Sequence, residues 1–285
     1  MNTATGVQIR NVLVATDFSA GSDAALHHAL ALAHQLSSKI FLAHVQSPNA
    51  FAAAGVPAAD PDPAQQPRAQ LNALVRSGIF EDTAPEVLVG TGATWDTLAR
   101  MIQENSIDLL VLGTRGRTGL GKLLLGSVTE QALRRAPCPV LSVGPRLAET
   151  AGPRTQFQRI VFATDFGPES LPALPWAIHL ARESQASLSL LHVIDFADGS
   201  PQYRGEVLRR LEDLVPHGEG QGLQLQYAVE TGTPAEGILK FANERGADLI
   251  VLGVHHLAPL AGHRPDTPAY HVVREALCPV LTVRG

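Results

Sequence analysis

From the end of an apolar run at residues 109–112 to the first residue of a segment of helical period at residues 127–134, Gly113, Gly116, Gly126 and Ser127 are spaced Gly-x2-Gly-x9-Gly-Ser. Glycines let a backbone turn sharply and approach a ligand closely, and the amides that open a helix present a positive dipole end to an anion. The pattern therefore suits phosphate. The hydroxyls of Ser127 and Thr129 add donors, Val128 offers a further main-chain contact, and Arg115, Arg117 and Lys122 supply positive charge. A Walker loop would need Gly-Lys-Ser/Thr in sequence. The dinucleotide fingerprint would follow the first strand, whereas this loop follows the fourth.

The elements that must hold such a loop follow from the periodicity. Residues 12–15 form a short β-branched and apolar run, and residues 23–36 carry Ala24, Ala25, Leu26, Ala29, Leu30 and Ala33 at helical spacing. Strands are expected again at 40–45, 86–89, 109–112 and 140–143, and helices at 68–76, 95–105 and 127–134. Short apolar strands alternating with helices imply a parallel sheet covered on both faces. In such a sheet a ligand crevice lies beyond the carboxyl ends of the strands, where Thr16-Asp17 and Val45 end the first two. Asp17 also reads, as the lesser alternative, as a cap of the following turn or helix, and Val45 as an ordinary core strand residue whatever binds nearby.

The whole pattern occurs twice. Asn11-Val-Leu-Val-Ala-Thr-Asp17-Phe18 returns as Arg159-Ile-Val-Phe-Ala-Thr-Asp165-Phe166, and His44-Val45 as His192-Val193, both offset by 148. Further on, Asp108-Leu-Leu-Val-Leu-Gly113 returns as Asp248-Leu-Ile-Val-Leu-Gly253, and the strand after Cys138 as the strand after Cys278, now offset by 140. Duplication is the economical explanation. We expect two tandem α/β domains, residues 1–147 and 156–285, joined by a linker at 144–157, with a surface loop over 51–67 that is rich in Ala, Pro and Asp.

A hydrophobic fraction of 45% and a charged fraction of 17% belong to a chain that folds. The formal net charge of -5 argues against broad nucleic-acid binding, which draws on a basic surplus. No run approaches the roughly 20 apolar residues of a membrane span, and residues 1–10 lack a signal-peptide core, so a cytoplasmic protein is expected. Cys138 and Cys278 exclude a secreted disulfide framework and read as small buried thiols or as a redox pair.

On these motifs the sequence resembles the universal stress protein family over nearly its whole length. The resemblance implies a Rossmann-like, adenine-nucleotide alpha-hydrolase-like fold in each half. It also implies ATP as the cofactor, with magnesium left open. In the first half it places Asp17, with its neighbour Thr16, and Val45 against the adenosine. Gly113, Gly116, Gly126 and Ser127 would wrap the phosphates, with Arg115, Arg117 and Val128 beside them. It further implies an intramolecular pseudo-dimer in which the fifth strands, 140–143 and 280–283, meet, and it leaves a homodimer open.

The second half departs from the pattern. His256 stands where the second glycine would be, and a Pro-bearing approach to Tyr270 replaces Gly-Ser, so phosphate cradling should fail there. His255, His256, His263 and His271 match no tight metal motif and read as a solvated loop rather than a zinc site. No catalytic residue is singled out. The leading reading is an ATP-binding stress-response regulatory or interaction protein; the alternatives are a slow ATPase and a nucleotide-free scaffold of duplicated domains.

Overall fold

The computed structural model describes residues 6–47, 65–80, 83–114, 125–144, 156–216, 218–254 and 267–285. The chain divides into two compact units, one of residues 9–155 and one of residues 156–285 together with residues 6–8. The first contains β1 (Asn11–Ala15), α1 (Ala20–Leu36), β2 (Lys39–Gln46), α2 (Gln65–Arg76), β3 (Glu86–Thr91), α3 (Thr94–Glu104), β4 (Leu109–Gly113), α4 (Ser127–Arg135) and β5 (Val140–Val143). The second repeats it with β6 (Arg159–Ala163), α5 (Leu174–Ser184), β7 (Ser187–Ile194), α6 (Pro201–Asp213), β8 (Gln224–Thr231), α7 (Pro234–Glu244), β9 (Leu249–Val254), α8 (Pro268–Glu275) and β10 (Val280–Arg284).

Within the first unit the strands run β3-β2-β1-β4-β5, all parallel, and within the second β8-β7-β6-β9-β10, also all parallel. The α/β class and the doubly wound order expected from the alternating periods are both present. After Asn11, β1 is apolar because both of its faces are covered. Leu13 joins Leu98 and Ile102 of α3 and Ala132 of α4 in one buried cluster, while Val12 and Val14 turn to the opposite face and are fully buried there.

One polar residue sets the register of β1 beside β4 in each copy. The Asp108 carboxylate accepts the Arg10 and Asn11 amides at 2.8 and 2.9 Å, and Asp248 accepts those of Gln158 and Arg159 at 3.0 and 2.9 Å. Charge-assisted bonds of this kind satisfy amides that the ladder leaves open at a strand's start.

Two helix starts lie three residues before the sequence-based expectation. Helix α1 begins at Ala20 rather than Asp23 because Ser19 and Ser22 form a reciprocal capping box. Helix α2 begins at Gln65, so Pro67, placed in the 51–67 loop by composition, lies buried in its first turn, where a missing N–H costs nothing. Residues 48–64, the rest of that loop, lie outside the described residues. Phe157, assigned to the linker, is 9% exposed and counts among the buried apolar residues. No described helix is long and apolar enough to cross a membrane.

Candidate functional site

The turn between β1 and α1 is built almost entirely from short polar side chains. The Thr16 hydroxyl lies 3.0 Å from that of Ser22 and accepts the Phe18 amide at 3.0 Å. Asp17 Oδ1 accepts both the Ser19 amide, at 3.1 Å, and the Ser19 hydroxyl, at 2.5 Å. Phe18 takes a left-handed φ of 61°, and its ring lies 4.7 Å from that of His44, whose Nδ1 donates to the Thr16 carbonyl at 2.7 Å. Asp17 is thus a turn cap, as one reading of the sequence allowed. Its carboxylate is also held at the carboxyl end of β1, facing the crevice.

Across the crevice stands the junction of β4 with α4. Gly113 ends β4 so close to α1 that a Cβ added to it would lie 2.6 Å from the Gly21 carbonyl oxygen. Helix packing therefore requires glycine there, whatever ligand the loop meets. The repeat has the same constraint: a Cβ on Gly253 would lie 2.2 Å from the Glu169 carbonyl oxygen.

Gly126 occupies the N-cap position of α4 in extended conformation, and no side chain caps the helix. Its own amide donates to the Thr114 carbonyl at 2.8 Å, and its carbonyl accepts the Glu130 amide. The amides of Ser127, Val128 and Thr129 make no hydrogen bond among the described residues. They are three of the four donors that a helix start cannot satisfy internally, and they carry the positive end of its dipole. The Thr129 hydroxyl, assigned to the ligand from its place in the motif, instead donates to the Gly113 carbonyl at 3.1 Å. Arg115, Gly116, Arg117 and Lys122 lie outside the described residues.

Between the two junctions lies a cavity of about 540 Å³, within the range of pockets that hold ligands of drug or nucleotide size. Thr16, Asp17, Val45, Gly113, Gly126, Ser127 and Val128, all expected from the sequence, line it together. Val45, Leu98, Leu112 and Val128 form an apolar wall continuous with the core cluster. Asp17 is the one carboxylate among the described lining residues. A second wall was not anticipated: Gln46 ends β2 and Ser47 follows it, and the exposed Gln66 and Gln70 line the cavity from α2. The only sequence signal for it was the strand period, which turns Gln46 to the face opposite Val45.

In the second unit the strand-end turn is the same. Thr164 and Ser170 hydroxyls lie 2.8 Å apart, Asp165 Oδ1 accepts the Gly167 amide at 2.8 Å, and Phe166 and His192 rings are 4.7 Å apart. The surroundings differ. Pairing the buried Pro67 and Leu71 of α2 with Val207 and Leu211 of α6 sets Arg210 at the position of Gln70, and its guanidinium lies 4.0 Å from the Phe166 ring centroid. Val193, the repeat of Val45, packs so tightly on α7 that a Cβ on Gly237 would lie 2.7 Å from it. At the start of α8, Thr267 caps its own helix by accepting the Tyr270 amide at 3.3 Å, and Pro268 has no N–H to offer. His255, His256 and His263 lie outside the described residues; His271 pairs with Arg274 at 3.1 Å.

The Universal stress protein family model matches residues 8–144 and again residues 156–284. The chain belongs to this family. A universal stress protein of Mycolicibacterium smegmatis is 28% identical over 288 residues, covering 96% of both chains, so the tandem arrangement extends through that relative. The universal stress protein YxiE of Bacillus subtilis is 32% identical over 150 residues, covering 45% of this chain and 99% of its own. Among solved structures, a universal stress protein from Archaeoglobus fulgidus covers 96% of this chain and 98% of its own with a TM-score of 0.74. At 20% identity that likeness speaks to the fold. The two family matches fall on the two copies read from the sequence.

Proposed function

We propose that the first unit binds ATP and that the chain works as a nucleotide-responsive regulatory or interaction protein of the stress response. The phosphates would rest on the amides that open α4, and the adenosine would lie against Val45 and Asp17. The observation that carries this reading is the start of α4. A helix whose N-cap is a glycine and whose first amides have no partner among the described residues opens into the same cavity as a carboxylate and an apolar wall. An anionic head with a flat apolar body fits that division.

Asp17 is the residue placed to reach a magnesium ion carried by the phosphates, although one of its oxygens already holds Ser19. The second unit is read as a nucleotide-free partner. Its helix start is self-capped, and Arg210 stands where Gln70 lines the first cavity.

The test is to denature freshly purified protein and identify released nucleotide by mass spectrometry, alongside a Gly126→Val, Ser127→Ala variant. About one ATP per chain in the parent and none in the variant is the expected result. No nucleotide released, together with no binding of added Mg-ATP, would leave a scaffold of duplicated domains.

A further inference from the structure

Asp17 lies between two peptide groups, and a side chain holds each of them. The Thr16 carbonyl before it accepts from His44 Nδ1 at 2.7 Å, and the Phe18 amide after it donates to the Thr16 hydroxyl at 3.0 Å. A residue's backbone turns only through the two rotations that relate those groups, so the two bonds together fix the direction in which the Asp17 side chain leaves the chain. Ser19 then holds the carboxylate through Oδ1. Thr16 and Ser19 belong to the turn itself, whereas His44 reaches it from β2.

The His44 ring also meets the ring of Phe18, 4.7 Å away, and Phe18 holds a left-handed φ of 61°. A bulky residue in that region is strained and persists only where its surroundings hold it. His44 therefore supports the turn on both sides of Asp17, at the carbonyl before it and at the ring after it. The second unit keeps the same parts. His192 Nδ1 donates to the Thr164 carbonyl at 2.7 Å, the Phe166 amide donates to the Thr164 hydroxyl at 2.9 Å, and Phe166 has a φ of 63°. That unit carries the same turn without an open helix start, so it measures what the histidine contributes to folding alone.

We infer that His44 is a positioning residue of the nucleotide site, acting through Asp17, whose carboxylate it holds at the carboxyl end of β1. The inference rests on the proposed nucleotide site in the first unit and adds to it a residue outside the glycine motif. A carboxylate fixed before the ligand arrives spares binding the cost of ordering it. Without the His44 bond the Thr16–Asp17 peptide can turn, and binding must restore its orientation.

The experiment measures ATP affinity by titration calorimetry in the full chain for the parent, His44→Leu, His44→Asn, Asp17→Ala and the double variant of His44→Leu with Asp17→Ala. His192→Leu is the folding control, and His44→Gln, which carries the amide one bond farther out, replaces His44→Leu if that variant does not fold. His44→Leu should weaken ATP binding by about tenfold, while His44→Asn, whose amide nitrogen takes nearly the place of Nδ1, should keep most of the affinity. Adding His44→Leu to Asp17→Ala should weaken binding by no more than about twofold further, the mark of a residue that acts through Asp17. His192→Leu should lower the melting temperature as His44→Leu does and leave ATP affinity unchanged. Undiminished affinity in His44→Leu, or the full further loss in the double variant, overturns the positioning role and leaves the nucleotide site standing. If Asp17→Ala binds as the parent does, His44 has no carboxylate to position and the inference falls in the same way. A parent chain that binds no ATP overturns both the inference and the proposed function.

Discussion

The Gly126 amide donates to the Thr114 carbonyl at 2.8 Å, joining the end of β4 to the start of α4. That bond aims the helix start at the cavity, and the missing side chain at Gly126 leaves the amides beyond it open. Gly126 has φ -61° and ψ 142°, a conformation any residue adopts, and a Cβ there would meet the Thr114 oxygen at 3.2 Å, a tight but adjustable contact. Gly126→Ser should therefore fold. The new hydroxyl would accept from the α4 amides and compete with phosphate for them. Expected are a fall in ATP affinity of about tenfold and a stability within about 0.5 kcal/mol of the parent, since glycine and serine differ little as N-caps. Calorimetric titration and urea unfolding measure the two, and undiminished ATP affinity would count against phosphate on this helix start.

Gly113 answers to the packing of α1, and Gly253 to the turn at Glu169 and Ser170. Adding a methyl group at either brings it against backbone, which cannot rotate away. Gly113→Ala and Gly253→Ala should each destabilise by about 1–3 kcal/mol, read from denaturant unfolding. ATP binding should survive Gly253→Ala at protein concentrations and temperatures where the chain stays folded. If both substitutions are neutral, the close approach to Gly21 and Glu169 is wrong.

These glycines show where sequence reading reached and where it stopped. The strands, their parallel pairing and the duplication were legible because they rest on local period and on repetition, which a linear chain displays directly. The start of α4 was legible for the same reason: Gly126-Ser127 at the head of a periodic segment has a local meaning. The requirement for glycine at 113 looked like a ligand contact, yet it comes from Gly21, far away in sequence, and only the fold brings the two together. Thr129 was likewise assigned to the ligand, but its hydroxyl is engaged with Gly113. The glutamine wall was not legible because Gln66 and Gln70 adjoin a stretch whose composition reads as loop, and polar residues on a surface helix carry no period that marks a cavity.

Cys138 should be inert. Burial, helped by the nearby Asp108 carboxylate, pushes its thiol up from the ordinary value of 9.0 to about 12, against the opposing hydrogen bond from the Leu110 backbone. The thiolate is the reactive form, so at pH 8 native Cys138 should react with a disulfide reagent more slowly than in the unfolded chain by on the order of a hundredfold or more. The sign of the pH effect follows. The fold favours the protonated thiol, so its contribution to stability is full below about pH 9 and declines as pH rises from there toward about 12. Reaction of Cys138 at the unfolded rate, located by peptide mass spectrometry, would contradict that burial.

Arg210 separates two accounts of why the second unit differs from the first. If the guanidinium over Phe166 were the only obstacle, Arg210→Ala would open a second nucleotide site. The start of α8 argues otherwise: Thr267 already occupies the Tyr270 amide, and Pro268 lacks an N–H, so phosphate finds fewer donors there than at α4. Arg210→Ala should therefore leave the stoichiometry at about one nucleotide per chain. It should lower stability by about 0.5–1 kcal/mol through the lost cation–π contact, Arg210 being exposed. Titration with ATP and thermal unfolding give both numbers. A stoichiometry rising to two would show that Arg210 alone closes the second unit and that its helix start can still receive an anion.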